Sequence, residues 1–134
     1  MELSDKEIRA QICDVCHKMW QLGWVASNDG NVSVKLSDGT FLATPTGVSK
    51  SMVTPEMIVH IDKAGEIIEV VGGYRPSSEM RMHFRCYEER EDVGAVWHIR
   101  IMGLRIVLRT VLLTMVFRSR MIMMNRRCFI CGIS

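Results

Sequence analysis

Residues 97–134 contain no aspartate, no glutamate and no lysine, although they hold seven arginines. At ordinary composition about four or five acids belong in a stretch of that length. All 15 acids of the chain lie in residues 1–96 against 10 Lys and Arg, so the bland net charge of +2 joins an acidic part to a basic tail. An uninterrupted apolar run is also missing. The tail segment IMGLRIVLRTVLLTMVF is broken by Arg105 and Arg109, short of the roughly 18 uncharged residues that mark a membrane span. As a helix it would be basic and amphipathic, of the kind that lies on a membrane surface or a partner. Five cysteines, an odd number, argue for reduced thiols over a disulfide framework. MELSDKEIRAQ has neither the basic start nor the apolar core of a targeting segment, which sets the cytoplasm as the expected compartment. No nucleic-acid partner is expected.

At 134 residues the length suits one domain. Ser4 followed by Glu7 forms a capping box, and Ile8, Ile12, Val15, Cys16, Met19 and Leu22 recur at helical spacing, predicting a helix that ends near Gly23. SNDGN then turns the chain. Val32, Val34 and Leu36 alternate with polar residues, SDG turns, and TFLAT returns, which reads as a hairpin. MIVHID and EIIEVV around KAG make a second strand pair, between the loops TPTGVSKS and GGYRPSS. Met80, Phe84 and Tyr87 put an apolar stripe on a helix from Ser78 to about Arg90, and VGAVWH reads as a buried strand. This order predicts an α/β fold with helices packed on a mostly antiparallel sheet.

Four short segments at element edges carry residues that folding alone does not require: GNVS at 30–33, TPTG at 44–47, PSSE at 76–79, and His98. Taken singly, Asn31 is a turn residue, Ser77 and Ser78 are helix caps, and Glu79 compensates a helix dipole. Together, amides beside Gly47, the hydroxyls of Thr46, Ser77 and Ser78, and the following helix start would cradle a phosphate. Glu79 is a poor phosphate ligand and a good base.

In this order and spacing, GNVSVK, TPTG, PSSEMRMH and GAVWH resemble the class II aldolase/adducin family, and within it the L-fuculose-phosphate aldolase type, over residues 1–98. The resemblance implies that family's layered fold, here truncated. It implies phosphate-binding positions at Asn31, Thr46, Gly47, Ser77 and Ser78, a catalytic acid/base at Glu79, and at His98 the first histidine of an H-x-H zinc pair. It further implies a Zn2+ cofactor, reversible cleavage of a ketose 1-phosphate to dihydroxyacetone phosphate and an aldehyde, and a homotetramer. A non-catalytic, adducin-like binding module is the alternative.

The chain departs from the pattern at position 100, where the second histidine should stand and Arg100 does. A guanidinium does not deprotonate to bind a metal. The genetic code offers a reason. With Arg100 as CGN, reading Trp97 onward from the third base of its codon gives Ala, then His or Tyr, then Pro, Thr or Ser. The family continues here as A-H-P. An intact W-H-A-H-P can be written TGG CAC GCA CAT CCG, with GCAC in tandem, and losing one copy leaves TGG CAC ATC CG, read W-H-I-R, as in Trp97–Arg100. Residues 99–134 are therefore expected to be an aberrant, frameshifted tail without catalytic function. The CxxC pairs Cys13/Cys16 and Cys128/Cys131 lie more than a hundred residues apart, unlike a zinc ribbon, and the first sits on a helix as buried small residues do.

Overall fold

The computed structural model describes residues 3–26, 28–100, 112–118 and 129–130. Helix α1, Asp5–Gln21, begins where the sequence places its cap: the Ser4 hydroxyl accepts the Glu7 N–H at 3.3 Å, and the Glu7 carboxylate accepts the Ser4 N–H at 2.8 Å. A cap of this kind contributes about 1 kcal/mol. Ile12, Cys13, Cys16 and Met19 form its buried face. Leu22, expected on that stripe, is 57% exposed, because it caps the helix just before Gly23 turns left-handed at φ +70°.

The sheet runs in the order β4-β3-β2-β1-β5-β6-β7, and every pairing is antiparallel. Strands β1, Asn31–Lys35, and β2, Phe41–Ala43, form the first hairpin, whose turn is held by Asp38 accepting the Thr40 N–H at 2.8 Å. Strands β3, Val59–Ile61, and β4, Ile67–Glu69, form the second, with Asp62 accepting the amides of Ala64 and Glu66. Strand β5, Val93–Arg100, then crosses back to lie beside β1.

Alternation along the strands divides the core in two. Val32 and Leu42 face α1 together with Val25, Val53 and Ile58. Phe41, Ala43, Val59, Ile61, Val93 and Val96 pack with Met80, Cys86 and Tyr87 of helix α2, Met80–Glu89. A helix therefore covers each face of a mostly antiparallel sheet, as the sequence predicts. Lys50, within a segment read only as loop, is buried. Its ammonium has the Val48 carbonyl at 3.4 Å, and desolvation pushes its pKa down, opposed by Cys16 and Asp29.

The helical reading of residues 101–117 fails over its last part. Residues Leu112–Arg118 are strand β6, paired with β5 so that His98 faces Thr114, and β7, Phe129–Ile130, pairs with β6. A short apolar run does not distinguish helix from strand by period, and the open edge of β5 supplies the backbone partners. Residues 101–111 of that reading, and Cys128 and Cys131, lie outside the described residues. Among the described residues no helix is long and apolar enough to cross a membrane.

Candidate active site

The sheet brings the scattered motifs to one end. Asn31 opens β1, His98 lies near the close of β5, and the two are register partners. Strand β2 leaves the sheet at the same end, with the Thr44 N–H on the Val32 carbonyl at 3.0 Å and the Thr44 hydroxyl accepting the Val32 N–H at 3.1 Å. TPTG and PSSE are then tied together: Pro45 bridges to Pro76, and the Thr46 N–H donates to the Arg75 carbonyl at 2.8 Å. Gly47 adopts φ +74° with open space around its α-carbon, a conformation in which a side chain would be strained.

Gly30 shows why GNVS begins with glycine. At φ +78° a β-carbon would stand 2.8 Å from the Val25 side chain and 3.1 Å from the His98 carbonyl oxygen. Only a bare α-carbon lets this turn close against β5.

Helix α2 points its N-terminus at the same region. It starts two residues later than expected: Glu79 is the N-cap, and the Ser77 hydroxyl accepts the Glu79 N–H at 3.2 Å. Glu79 itself has helical angles and makes no side-chain cap bond, so the capping hydrogen bond at this helix start is the one that Ser77 accepts. Ser77 is buried and Ser78 and Thr46 are exposed, while Glu79 is half-buried and Asn31 is 8% exposed. The oxygen of Ser77 is used as an acceptor, which leaves its O–H to donate. Hydroxyls and a helix start along one rim suit a phosphate, and a half-buried carboxylate beside them suits proton transfer.

Below the rim lies a polar cluster that the sequence does not announce. Ser33, two residues after Asn31 and on its face, has its hydroxyl 2.7 Å from His83 Nδ1 and 2.9 Å from the Tyr87 hydroxyl, which donates to the Ser33 carbonyl at 3.0 Å. His83 and Ser33 are fully buried and Tyr87 nearly so. Burial, reinforced by His98, depresses the His83 pKa to about 3, and burial raises that of Tyr87. The rings of His83 and His98 stand 6.4 Å apart between centroids at an interplanar angle of 82°. In the sequence Tyr87 belongs to the apolar stripe of the helix, and His83 falls one turn past Glu79 in PSSEMRMH. The available signal was a histidine on the apolar face of an otherwise amphipathic helix.

The residues do not fit the zinc centre that the resemblance implies. Among the described residues no group of three or more His, Cys, Asp or Glu is placed to hold a metal, whereas a catalytic zinc takes three protein ligands. Position 100, the last of β5, is arginine. Cys13 and Cys16 are buried against the sheet, and desolvation pushes their thiols up to about 11 and 12, so they serve as core residues.

Known proteins share this sequence and fold. Over 92 residues the chain is 42% identical to the L-fuculose phosphate aldolase of Escherichia coli strain K12, covering 69% of this chain and 41% of that one. It is 36% identical, with the same coverage, to a 5-methylthioribulose-1-phosphate/5-deoxyribulose-1-phosphate aldolase of a second Escherichia coli strain. The solved L-fuculose-1-phosphate aldolase of Thermus thermophilus superposes with a TM-score of 0.56 at 28% identity, covering 68% of this chain and 44% of its own. The chain thus spans about two-fifths of the length of the curated relatives it matches. Residues 10–108 match the family described as Class II Aldolase and Adducin N-terminal domain, and with these relatives the chain belongs to the class II aldolase and adducin family.

Proposed function

We propose that the rim formed by Asn31, Thr46, Gly47, Ser77 and Ser78 binds the phosphate of a phosphorylated sugar, and that Glu79 is the carboxylate for proton transfer at the adjoining carbon. The observation that carries this reading is the convergence of three loops and the α2 N-terminus on one end of the sheet, tied by the Thr46–Arg75 hydrogen bond. The parent reaction is reversible cleavage of a ketose 1-phosphate, L-fuculose 1-phosphate being the favoured case. Breaking the carbon–carbon bond leaves an enediolate of dihydroxyacetone phosphate, which must regain a proton at carbon. In the family a zinc held by three histidines stabilises that charge; here His98 is the one matching ligand, and no step is assigned to a metal.

The chain as it stands therefore binds without turning over. A second reading, a non-catalytic binding module, rests on that same incomplete ligand set. Residues 99–134 are read as a frameshifted tail, and the homotetramer of the parent is not expected to assemble normally. Calorimetric titration separates these ideas from chance binding. Dihydroxyacetone phosphate should bind and dihydroxyacetone should not, and Ser77→Ala should weaken binding about tenfold, the cost of one hydrogen bond to a charged group. Equal affinity for both ligands would end the phosphate reading. Aldehyde release from L-fuculose 1-phosphate with added zinc would end the claim of inactivity.

A further inference from the structure

The side-chain hydrogen bonds that join helix α2 to strand β1 all end on Ser33. The Ser33 carbonyl only accepts, so the single Tyr87 hydroxyl proton goes to it at 3.0 Å. The Ser33 hydroxyl then donates to Tyr87 at 2.9 Å, and the remaining contact, Ser33 Oγ to His83 Nδ1 at 2.7 Å, takes its proton from the imidazole. These bonds exist together only when neutral His83 is protonated at Nδ1. Its Nε2 is left as a buried acceptor with no hydrogen-bond partner among the described residues.

That orphaned nitrogen counts against a merely stabilising role. A buried acceptor without a partner is a net cost, and a leucine would fill much of the same space without it. What the histidine supplies is direction. Met80, Cys86 and Tyr87 of α2 pack in one cluster with Phe41, Val59 and Val96, which holds the helix against the sheet, but apolar burial is non-directional. Hydrogen bonds restrict angle as well as distance. The bonded residues also stand next to the candidate site. His83 lies one turn past Glu79, to whose carbonyl its N–H donates at 3.4 Å, and Ser33 lies two residues past Asn31 on the same face of β1.

We propose that Ser33, His83 and Tyr87 are positioning residues: they fix the slide and rotation of α2 on β1, and so set Ser77 and Glu79 opposite Asn31 and the Thr46–Gly47 loop. Their effect on ligand binding rests on the phosphate reading above, whereas their placement of α2 does not.

Two measurements on the full-length protein separate the two ideas: calorimetric titration with dihydroxyacetone phosphate, and residue-resolved amide hydrogen exchange without ligand. His83→Leu should weaken dihydroxyacetone phosphate about tenfold, the loss of one bond to a charged group, while the urea midpoint holds or rises. Ser77→Ala should cost little more in that background, because Ser77 is already out of place. His83→Asn, whose amide can donate to Ser33 from near the Nδ1 position, should restore most of the affinity. The Thr46 amide bonds the Arg75 carbonyl, and the Glu79 and Met80 amides bond Ser77; exchange at these three should quicken in His83→Leu while the amides of α1 keep their rates. Should His83→Leu not fold, Tyr87→Phe, which removes both bonds between Tyr87 and Ser33, is expected to move both readouts the same way. Faster rim exchange in a protein that never binds dihydroxyacetone phosphate would end the phosphate reading and keep the positioning role. Unchanged rim exchange in folded variants overturns the proposal, whatever the midpoint does. So does an affinity that none of the variants moves, or an equal loss in His83→Leu and His83→Asn.

Discussion

At the scale of single residues, two backbone positions separate strain from crowding. Gly30 and Gly39 share a positive φ, +78° and +84°, but a β-carbon meets Val25, Met19 and the His98 carbonyl at Gly30 and nothing within 4 Å at Gly39. Gly39→Ala should cost the strain alone, on the order of 1 kcal/mol. Gly30→Ala should cost clearly more, since main-chain oxygen and packed side chains must also shift, and the extra loss should appear as a lower urea midpoint at unchanged slope. Equal midpoints would mean that the GNVS turn does not close against β5 as described. Lys50 supplies the opposite sign. A buried ammonium with one carbonyl at 3.4 Å is poorly compensated, so Lys50→Met should keep or raise the midpoint while Lys50→Glu should lower it sharply.

Among the elements, those with strong local codes were legible in the sequence. The Ser4–Glu7 box set the start of α1, and the SDG and KAG turns set both hairpins, because caps and turns use residues whose side chains bond the nearby backbone. The start of α2 was less legible, since Ser77, Ser78 and Glu79 are all good first-turn residues and only the fold selects among them. The Ser33–His83–Tyr87 cluster was illegible for a different reason: its members are 50 and 54 positions apart in sequence. Helix α1 offers a direct check on its buried face. With thiols pushed up to about 11 and 12, Cys13 and Cys16 hold almost no thiolate at pH 8. Iodoacetamide should leave both unmodified in the native protein and alkylate both in urea, with peptide mass spectrometry as the readout. Rapid native labelling at Cys16 would contradict the packing of α1 on the sheet.

For the molecule as a whole, the family was legible because four motifs in order specify a single arrangement, while each motif alone is an ordinary turn or cap. What the chain does with that arrangement turns on residues 99–134. Strand β5 runs through Arg100 without interruption, so backbone pairing does not mark the point where the family pattern ends; chemistry does, at position 100. Zero acids and zero lysines beside seven arginines motivate the proposal that the tail is frameshifted, since selection for a soluble surface mixes both signs of charge. The proposed frameshift predicts a specific DNA text, a GCAC repeat at the Trp97 and His98 codons, and sequencing the gene from the Val96 codon through residue 134 and beyond tests it. A restored repeat, with the frame continuing A-H-P, would give the chain its second histidine and remove the basic tail. The reframed protein should then cleave L-fuculose 1-phosphate with zinc, and Glu79→Gln should abolish that activity. If the single copy is confirmed and no aldolase-like frame follows it, the frameshift explanation fails, and β6 together with the arginine-rich tail must be explained as selected protein.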